Sequence, residues 1–385
     1  MMLVTIAGER RLLWPFEKEA NRLFLCAVAL VIVGVIAVGS ASVEYAVQTY
    51  GNAFAFVQRY LFHLTLGVLA AIVAYRVPMH TWQRTGWLWL CIGLALLALV
   101  LIPGIGRRVN GARRWLALGA LTLQVSEFVK VFVIVYLAGF LVRRHDEVRS
   151  RWSGFIKPMA VVFLVTLLLM LEPDFGATVV TVCTAFGLLF LAGVKLGQFV
   201  SVMLSCAAAF ALLIATSPYR RERILQFTDP WARQFDSGYQ LVQSLIAFGR
   251  GEVFGVGLGN SVQKLSYLPE AHTDFVFAIW SEEFGLVGAL FVLTLFTVLI
   301  ASAFRIGRRA EKDDRLFSAF VVYGAALLIS AQVFINIGVN TGLLPTKGLT
   351  LPFLSYGGSS LIECLVLVAL MLRVDGETRG RFGDG

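Results

Sequence analysis

Stretches of about 20 apolar residues recur along this chain, and each is long enough to cross the ~30 Å hydrocarbon core of a bilayer. They fall near 23–42, 60–78, 85–103, 124–142, 157–171, 177–194, 198–217, 275–303, 316–339 and 355–373. The expected fold is therefore an all-α integral membrane protein. It is a polytopic bundle of about ten transmembrane helices forming one domain over 1–385, with a large extracytoplasmic loop between helices 7 and 8. Composition agrees: 58% of residues are hydrophobic and 15% charged, against roughly 45–50% and 25% in soluble domains. The first run is too long for a signal-peptide core and no small-residue cleavage site follows it, so it reads as a retained helix.

The net charge is +9, from 33 Lys+Arg against 24 Asp+Glu. With no basic-aromatic domain outside the spans, nucleic acid is not the expected partner; basic loops holding anionic lipid are. With a cytoplasmic N-terminal segment, 1–22, and a cytoplasmic tail, 374–385, 20 of the 33 cations fall inside, as the positive-inside rule requires. The exceptions are Lys130 within the fourth helix, Arg59, Lys347, and two basic outer loops. One loop carries Arg107, Arg108, Arg113 and Arg114; the other, 218–273, carries Arg220, Arg221, Arg223, Arg233, Arg250 and Lys264. Cations held outside against the rule point to an anionic ligand, or to loops that are simply solvated. The cysteines (Cys26, Cys91, Cys183, Cys206, Cys364) lie in apolar runs without a C-x-x-C spacing. They read as buried, inert thiols rather than a disulfide or metal framework.

Several polar segments stand out against this background. Leu268-Pro-Glu-Ala-His-Thr-Asp-Phe275 opens the eighth helix. There Asp274 or Thr273 can cap the helix, or Asp274 can act as general base beside a hydroxyl substrate. On a continuous helix Glu282 would sit about 12 Å deeper than Asp274 and about 80° round from it, with Glu283 at about 180°. The two glutamates are expected to be structural rather than a paired acid and base. Gly111-Ala-Arg-Arg-Trp115 precedes Gln124-Val-Ser-Glu-Phe-Val-Lys130, in which Glu127 and Lys130 can pair at i, i+3. That pairing alone would explain both residues in the membrane; a functional version keeps the pair and aims Lys130 or Arg114 at a diphosphate, whose oxygens suit an arginine fork. Asn340–Ser360, with two prolines and a Gly-Gly step, reads as irregular backbone. Such backbone is tolerated at membrane depth only where it is buried or lines a cavity. Ser355 is expected to begin the last helix. Glu172-Pro-Asp-Phe-Gly176 closes a tight hairpin between the fifth and sixth runs. Gly249–Gly259 reads as turns rather than a nucleotide loop, and no Walker motif occurs.

Leu268–Phe275, Pro345–Gly358, Gly111–Trp115, Gln124–Lys130, Glu172–Gly176 and Gly238-Tyr239-Gln240 occur in order, and together the chain resembles the SEDS proteins. These are the shape, elongation, division and sporulation polymerases of bacteria. Pro-Thr-Lys347-Gly and Ala-His272-Thr273-Asp274 look most like the division branch, with the elongation branch close behind. Val125 stands where the family usually has proline, and Trp280-Ser281 and Phe284 replace smaller or aliphatic residues.

The resemblance implies a peptidoglycan glycosyltransferase that polymerises lipid II into β-1,4 glycan, with undecaprenyl diphosphate leaving and the linkage inverting. It puts Asp274 in the role of general base. Arg114, Lys130, Glu127, Gln124, Ser126, Lys264, His272, Thr273, Lys347, Ser355 and Tyr356 become candidate substrate-binding residues. It implies no evident cofactor beyond a possible Mg²⁺ at the diphosphate. The implied partners are the bilayer, a class B penicillin-binding transpeptidase of the FtsI type, and division membrane proteins of the FtsQ, FtsL and FtsB types. The implied location is the septal cytoplasmic membrane. Competing readings are a lipid II flippase and a scaffold without chemistry.

Overall fold

The computed structural model describes residues 18–109, 112–118, 121–204, 229–236, 238–345 and 348–380. Nine long helices run through the described residues: α1 Lys18–Tyr50, α2 Ala55–Arg76, α3 Met79–Leu101, α4 Val125–Arg143, α6 Trp152–Leu171, α7 Phe175–Leu191, α9 Val276–Lys312, α10 Leu316–Asn340 and α11 Gly358–Thr378. Shorter α5, His145–Ser150, links α4 to α6, and α8, Tyr239–Gly251, lies in the large loop. Seven of the described helices have the length and apolarity to cross a membrane, which makes this a multi-pass membrane protein. α7 is apolar but only 17 residues long, and α11 carries Glu363, Arg373 and Asp375 within its run.

The helices sit where the apolar runs placed them, with informative differences at the edges. α1 continues to Tyr50, well past residue 42, and α11 reaches Thr378. α11 begins at Gly358, because Ser355 is spent in a turn in which its hydroxyl accepts from the Leu351 amide at 2.8 Å. Of the expected seventh span, only the helical turns up to residue 204 are described. The rest of it, Cys206, and Arg220, Arg221 and Arg223 lie outside the described residues. Cys26 and Cys364 are buried as expected, but Cys91 and Cys183 are exposed, on the outward faces of α3 and α7. An apolar run alone cannot say which face of its helix meets lipid.

α4 and α10 form the centre, each with 72% of its most apolar window buried. α10 packs against α4, α7, α9 and α11, while α1 packs along α9 and α2 along α11. Without a hydrophobic drive between helices in lipid, close packing at small residues holds such bundles. Gly86 and Gly93 of α3 accordingly lie against Val135 and Val129 of α4.

The basic loop 104–123 is not irregular. It forms a three-stranded antiparallel sheet: β1 Gly106–Val109, β2 Ala112–Leu118 and β3 Leu121–Gln124. β3 runs directly into α4, and Trp115 pairs with Gln124 across the ladder.

α9 is broken at Gly285, whose φ is +65° and ψ −162°. The freed backbone groups are satisfied by the large loop. The amides of Val256 and Gly257 donate to the carbonyls of Glu282 and Glu283 at 3.0 Å each. The amides of Leu286 and Val287 donate to the carbonyls of Glu252 and Val253 at 3.0 and 3.1 Å. The two carboxylates fasten the same loop. Buried Glu282 accepts from Arg250 at 2.8 Å, from the Ser261 hydroxyl, and from the amides of Val262 and Gln263 at 3.1 and 3.3 Å. Glu283 accepts from Ser40 of α1 at 2.5 Å and from Lys264 at 2.9 Å. Both glutamates are thus structural, as expected. Trp280, one of the departures from the family pattern, helps bridge the break by donating to the Gly288 carbonyl at 2.9 Å. Gly255, Gly257 and Gly259 are turns with positive φ, whereas Gly249 and Gly251 end α8.

A Cβ at Gly285 would both strain the left-handed backbone and strike Gly255 and Val253. Gly285→Ala is therefore expected to cost about 1–3 kcal/mol, read as a lower unfolding temperature in detergent.

Candidate functional site

At the end of the bundle where α9 begins, five stretches of chain converge: 270–275, 336–340, 348–349, 172–176 and 113–115. Asp274 lies ahead of the first helical residue, so it is not on the α9 helix. The residue before Val276 is Phe275, which makes no side-chain cap. Neither Asp274 nor Thr273 caps the helix: the Thr273 hydroxyl is bonded to the Glu270 carboxylate at 2.6 Å. The backbone of Asp274 is clamped instead. Its carbonyl accepts from the amides of Asn336 and Asn340, both at 3.0 Å. Asn336 also holds the carbonyl of Leu349 at 2.5 Å. The carboxylate itself lies against Gly348, where a Cβ would stand 3.0 Å from Oδ2. It is half-buried and has no hydrogen-bond donor among the described residues. Burial pushes its pKa up to about 7, the nearby Glu270 charge adds to the rise, and Arg114 opposes it.

The alternation of β2 sets the direction of Arg114. It shares a face with Ala112 and Leu116, both buried, because every second strand residue points the same way. Its guanidinium donates to the carbonyls of Glu172, at 3.2 Å, and of Pro173. This ties the sheet to the hairpin between α6 and α7. Two of the five guanidinium donors are engaged in this way.

The same hairpin is knotted to α4 and α11. Asp174 caps α7 by accepting from the Ala177 amide at 3.2 Å. Its other oxygen takes the Ser126 hydroxyl at 2.9 Å and the Gln124 amide at 3.3 Å. The backbone of Gln124 donates to Ser359 at 2.9 Å. Gln124 and Ser126, candidate substrate contacts by sequence, are thus bound into this knot. Glu172 is fully buried, and neither of its carboxylate oxygens has a partner among the described residues. Burial and the Asp174 charge raise its pKa to about 8, with Arg114 opposing.

Lys130 does not face a ligand space. It is 1% exposed and bridges Glu127 at 3.1 Å and Glu363 at 3.0 Å. The i, i+3 pair was legible in the sequence; the third member was not, because it comes from α11. Lys264 is likewise paired, held by Glu283 and Ser40. Both pairings have one physical reason: a cation beside a buried carboxylate lowers its own desolvation cost by pairing. Lys347 lies outside the described residues.

His272 and Tyr356 do meet. The Tyr356 amide donates to the His272 carbonyl at 2.9 Å. The His272 ring packs on Phe56 at 4.5 Å, Tyr45 at 5.4 Å and Tyr356 at 5.9 Å. Burial in this aromatic cluster pushes the His272 pKa down. Sequence reasoning missed Asn336, Glu270 and Glu363. Asn336 and Asn340 had a signal, since polar residues at i, i+4 on an otherwise apolar helix need partners. Among the described residues no three of His, Cys, Asp and Glu converge as metal ligands.

Two measurements test these assignments. Lys130→Met leaves two buried carboxylates without their cation and is expected to cost about 3–5 kcal/mol of stability, read by thermal unfolding. The raised Glu172 pKa lowers wild-type stability as pH rises from about 4 to about 8, since the folded state then holds the proton more tightly than the unfolded one. Glu172→Gln should therefore gain on wild type toward pH 8 and match it near pH 4.

Comparison with known proteins gives a consistent picture. Residues 20–380 match the family model for FtsW, RodA and SpoVE, described as "Cell cycle protein". The chain is 54% identical over 351 residues to a probable peptidoglycan glycosyltransferase FtsW of Hahella chejuensis, covering 91% of this chain and 88% of the relative. It is 52% identical over 366 residues to a protein of the same name from Coxiella burnetii, covering 95% and 97%. Among solved structures, a chain from work on structural coordination of polymerization and crosslinking by a peptidoglycan synthase complex superposes with TM-score 0.78 at 29% identity. It covers 94% of this chain and 98% of its own. The rod shape determining protein RodA of Thermus thermophilus superposes with TM-score 0.67 at 28% identity, covering 94% and 97%.

Proposed function

This chain belongs to the cell cycle protein family of FtsW, RodA and SpoVE, and from that premise we propose that it is a peptidoglycan glycosyltransferase of the FtsW type, with Asp274 as its general base. The observation that carries the assignment is the state of Asp274. Its backbone is fixed by two asparagines, its carboxylate lacks a donor among the described residues, and its pKa is held near neutrality. A general base works best when its pKa lies near the working pH, and a positioned one contributes about 10²–10⁴-fold.

In this reading the carboxylate takes the proton of the 4-hydroxyl of one lipid-linked disaccharide. The freed oxygen attacks the anomeric carbon at the end of the growing chain. The bond from that carbon to the diphosphate breaks, undecaprenyl diphosphate leaves, and α becomes β. Arg114 has guanidinium donors to spare and stands in the same constellation, which suits it to the charge developing on the leaving diphosphate. Lys347 is assigned the same task from sequence alone. A divalent cation at the diphosphate would help neutralise its charge; no step here depends on it.

The excess of basic residues in the loops at the other end of the bundle supports cytoplasmic termini, with Asp274 opening outward. Kinship with a chain from a peptidoglycan synthase complex supports a penicillin-binding transpeptidase partner of class B. The FtsW-named relatives support action at the division septum with FtsQ-, FtsL- and FtsB-type proteins.

The test is polymerisation of purified lipid II by the protein with its transpeptidase partner. Asp274→Asn should lose at least about 10²-fold in rate, while wild-type kcat/KM should fall about tenfold per unit as pH drops below about 7. Loss of a cap does not confound the result, as Asp274 caps nothing. Its raised pKa makes wild-type stability fall as pH rises toward 7, so the Asn variant should melt no lower than wild type at pH 8. Equal glycan from both proteins would overturn the base assignment. Translocation of lipid II without polymerisation would favour a flippase.

A further inference from the structure

An apolar groove of about 620 Å³ runs between α7 and α10. One wall is Phe175, Val179 and Cys183 of α7; the other includes Ala331 and Phe334 of α10; Leu344 and Leu349 roof it. The one hydroxyl on the lining, Ser330, is turned to the carbonyl of Ala326 in its own helix at 2.6 Å. The described residues of the walls therefore offer an occupant no free hydroxyl or charged group. The groove opens sideways: Phe334 is 67% exposed, and Cys183 is exposed as well.

Its length and position suit a hydrocarbon chain that reaches into it from the site. From Phe175 to Cys183 is eight residues, about 12 Å of helix, close to the ~15 Å of one leaflet's hydrocarbon. The groove begins at the end of the bundle that carries Asp274 and stops near mid-membrane. Its roof is continuous with the site. Leu349 packs against Gly176, its carbonyl is held by the Asn336 that also clamps Asp274, and its neighbour Gly348 abuts the Asp274 carboxylate. Phe175 comes directly after Glu172-Pro173-Asp174, where Arg114 is bonded. A ligand with its charged head at Arg114 and its reacting group at Asp274 would therefore have its apolar portion delivered into this groove.

We propose that the groove between α7 and α10 binds the polyprenyl chain of a lipid-linked saccharide substrate, a site that rests on the glycosyltransferase reading above. Unlike a headgroup contact, it makes turnover depend on the length of the isoprenoid chain.

The test compares lipid II bearing the full undecaprenyl chain with an analogue bearing a short prenyl chain, using wild type and Ala331→Trp with the transpeptidase partner present. Displacing about two buried methylenes corresponds to about tenfold in affinity. Ala331→Trp should therefore raise KM about tenfold for the long-chain substrate and leave the short-chain KM and both kcat values unchanged. An unchanged long-chain KM, or an equal rise for both chain lengths, overturns the proposal. A second measurement needs no turnover and no bulky variant. With Phe334 replaced by photoreactive benzoyl-phenylalanine, irradiation should crosslink the protein to undecaprenyl-linked lipid II. Undecaprenyl phosphate should compete and phosphatidylglycerol should not. Competition by phosphatidylglycerol would mark an ordinary acyl-chain groove and overturn the proposal. If the crosslink forms but no glycan does, the glycosyltransferase reading fails and the groove stands; if glycan forms without the crosslink, the groove alone fails.

Discussion

Every backbone N–H and C=O at membrane depth must find a partner inside the protein, and α9 must meet that demand across its break at Gly285. A helix broken within the bundle leaves amides and carbonyls that water cannot reach. The segment 252–257 supplies their partners by pairing with 282–287, and Glu282 and Glu283 grip the flanking residues Arg250, Ser261 and Lys264. Residues 250–264 of the large loop are therefore an internal part of the fold, pinned beside the start of α9, rather than a solvated connection. That anchorage sets the path of residues 265–275, and with it the position of Asp274.

The rest of the site is assembled by similar exchanges between distant segments. Asn336 and Asn340 project from one face of α10, and both reach the Asp274 carbonyl. Asn336 also holds Leu349, so one helix fixes the two loops on either side of the carboxylate. Asp174 joins the start of α7 to Gln124 and Ser126, and Gln124 in turn meets Ser359 at the start of α11. These are buried polar networks in which most members are paired, the condition under which such networks specify one arrangement rather than destabilise it. The carboxylates of Asp274 and Glu172 stand outside that pattern. A carboxylate without donors in a partly dry setting keeps its proton to higher pH, which is a cost to folding and an asset to proton transfer.

The cations divide in the same way. Lys130 and Lys264 were attractive as diphosphate ligands because they sit where the positive-inside rule is violated. Each proves to be the counter-ion of acids that the fold has buried: Glu127 and Glu363 for one, Glu283 for the other. Arg114 differs because its partners are neutral carbonyls. Among the described residues no carboxylate is bonded to its guanidinium.

The apolar runs by themselves determined that this chain spans a membrane many times and where most of the helices lie. The requirement is one of length and transfer free energy, both readable residue by residue. Asp274, Arg114 and the hairpin at Glu172–Gly176 were also legible, as polar residues that an apolar chain has no packing reason to keep. Tertiary structure alone decided what those residues touch. Glu363 completes the Lys130 triad from another helix, strand pairing turns Arg114 inward, the eighth apolar run breaks at Gly285 just after Glu282 and Glu283, and Asp274 does not cap the helix that follows it. In each case the deciding partner lies far away in sequence. Hydropathy sums the preference of each residue for lipid or water, whereas hydrogen bonds and ion pairs are set by distances that exist only once the bundle has closed.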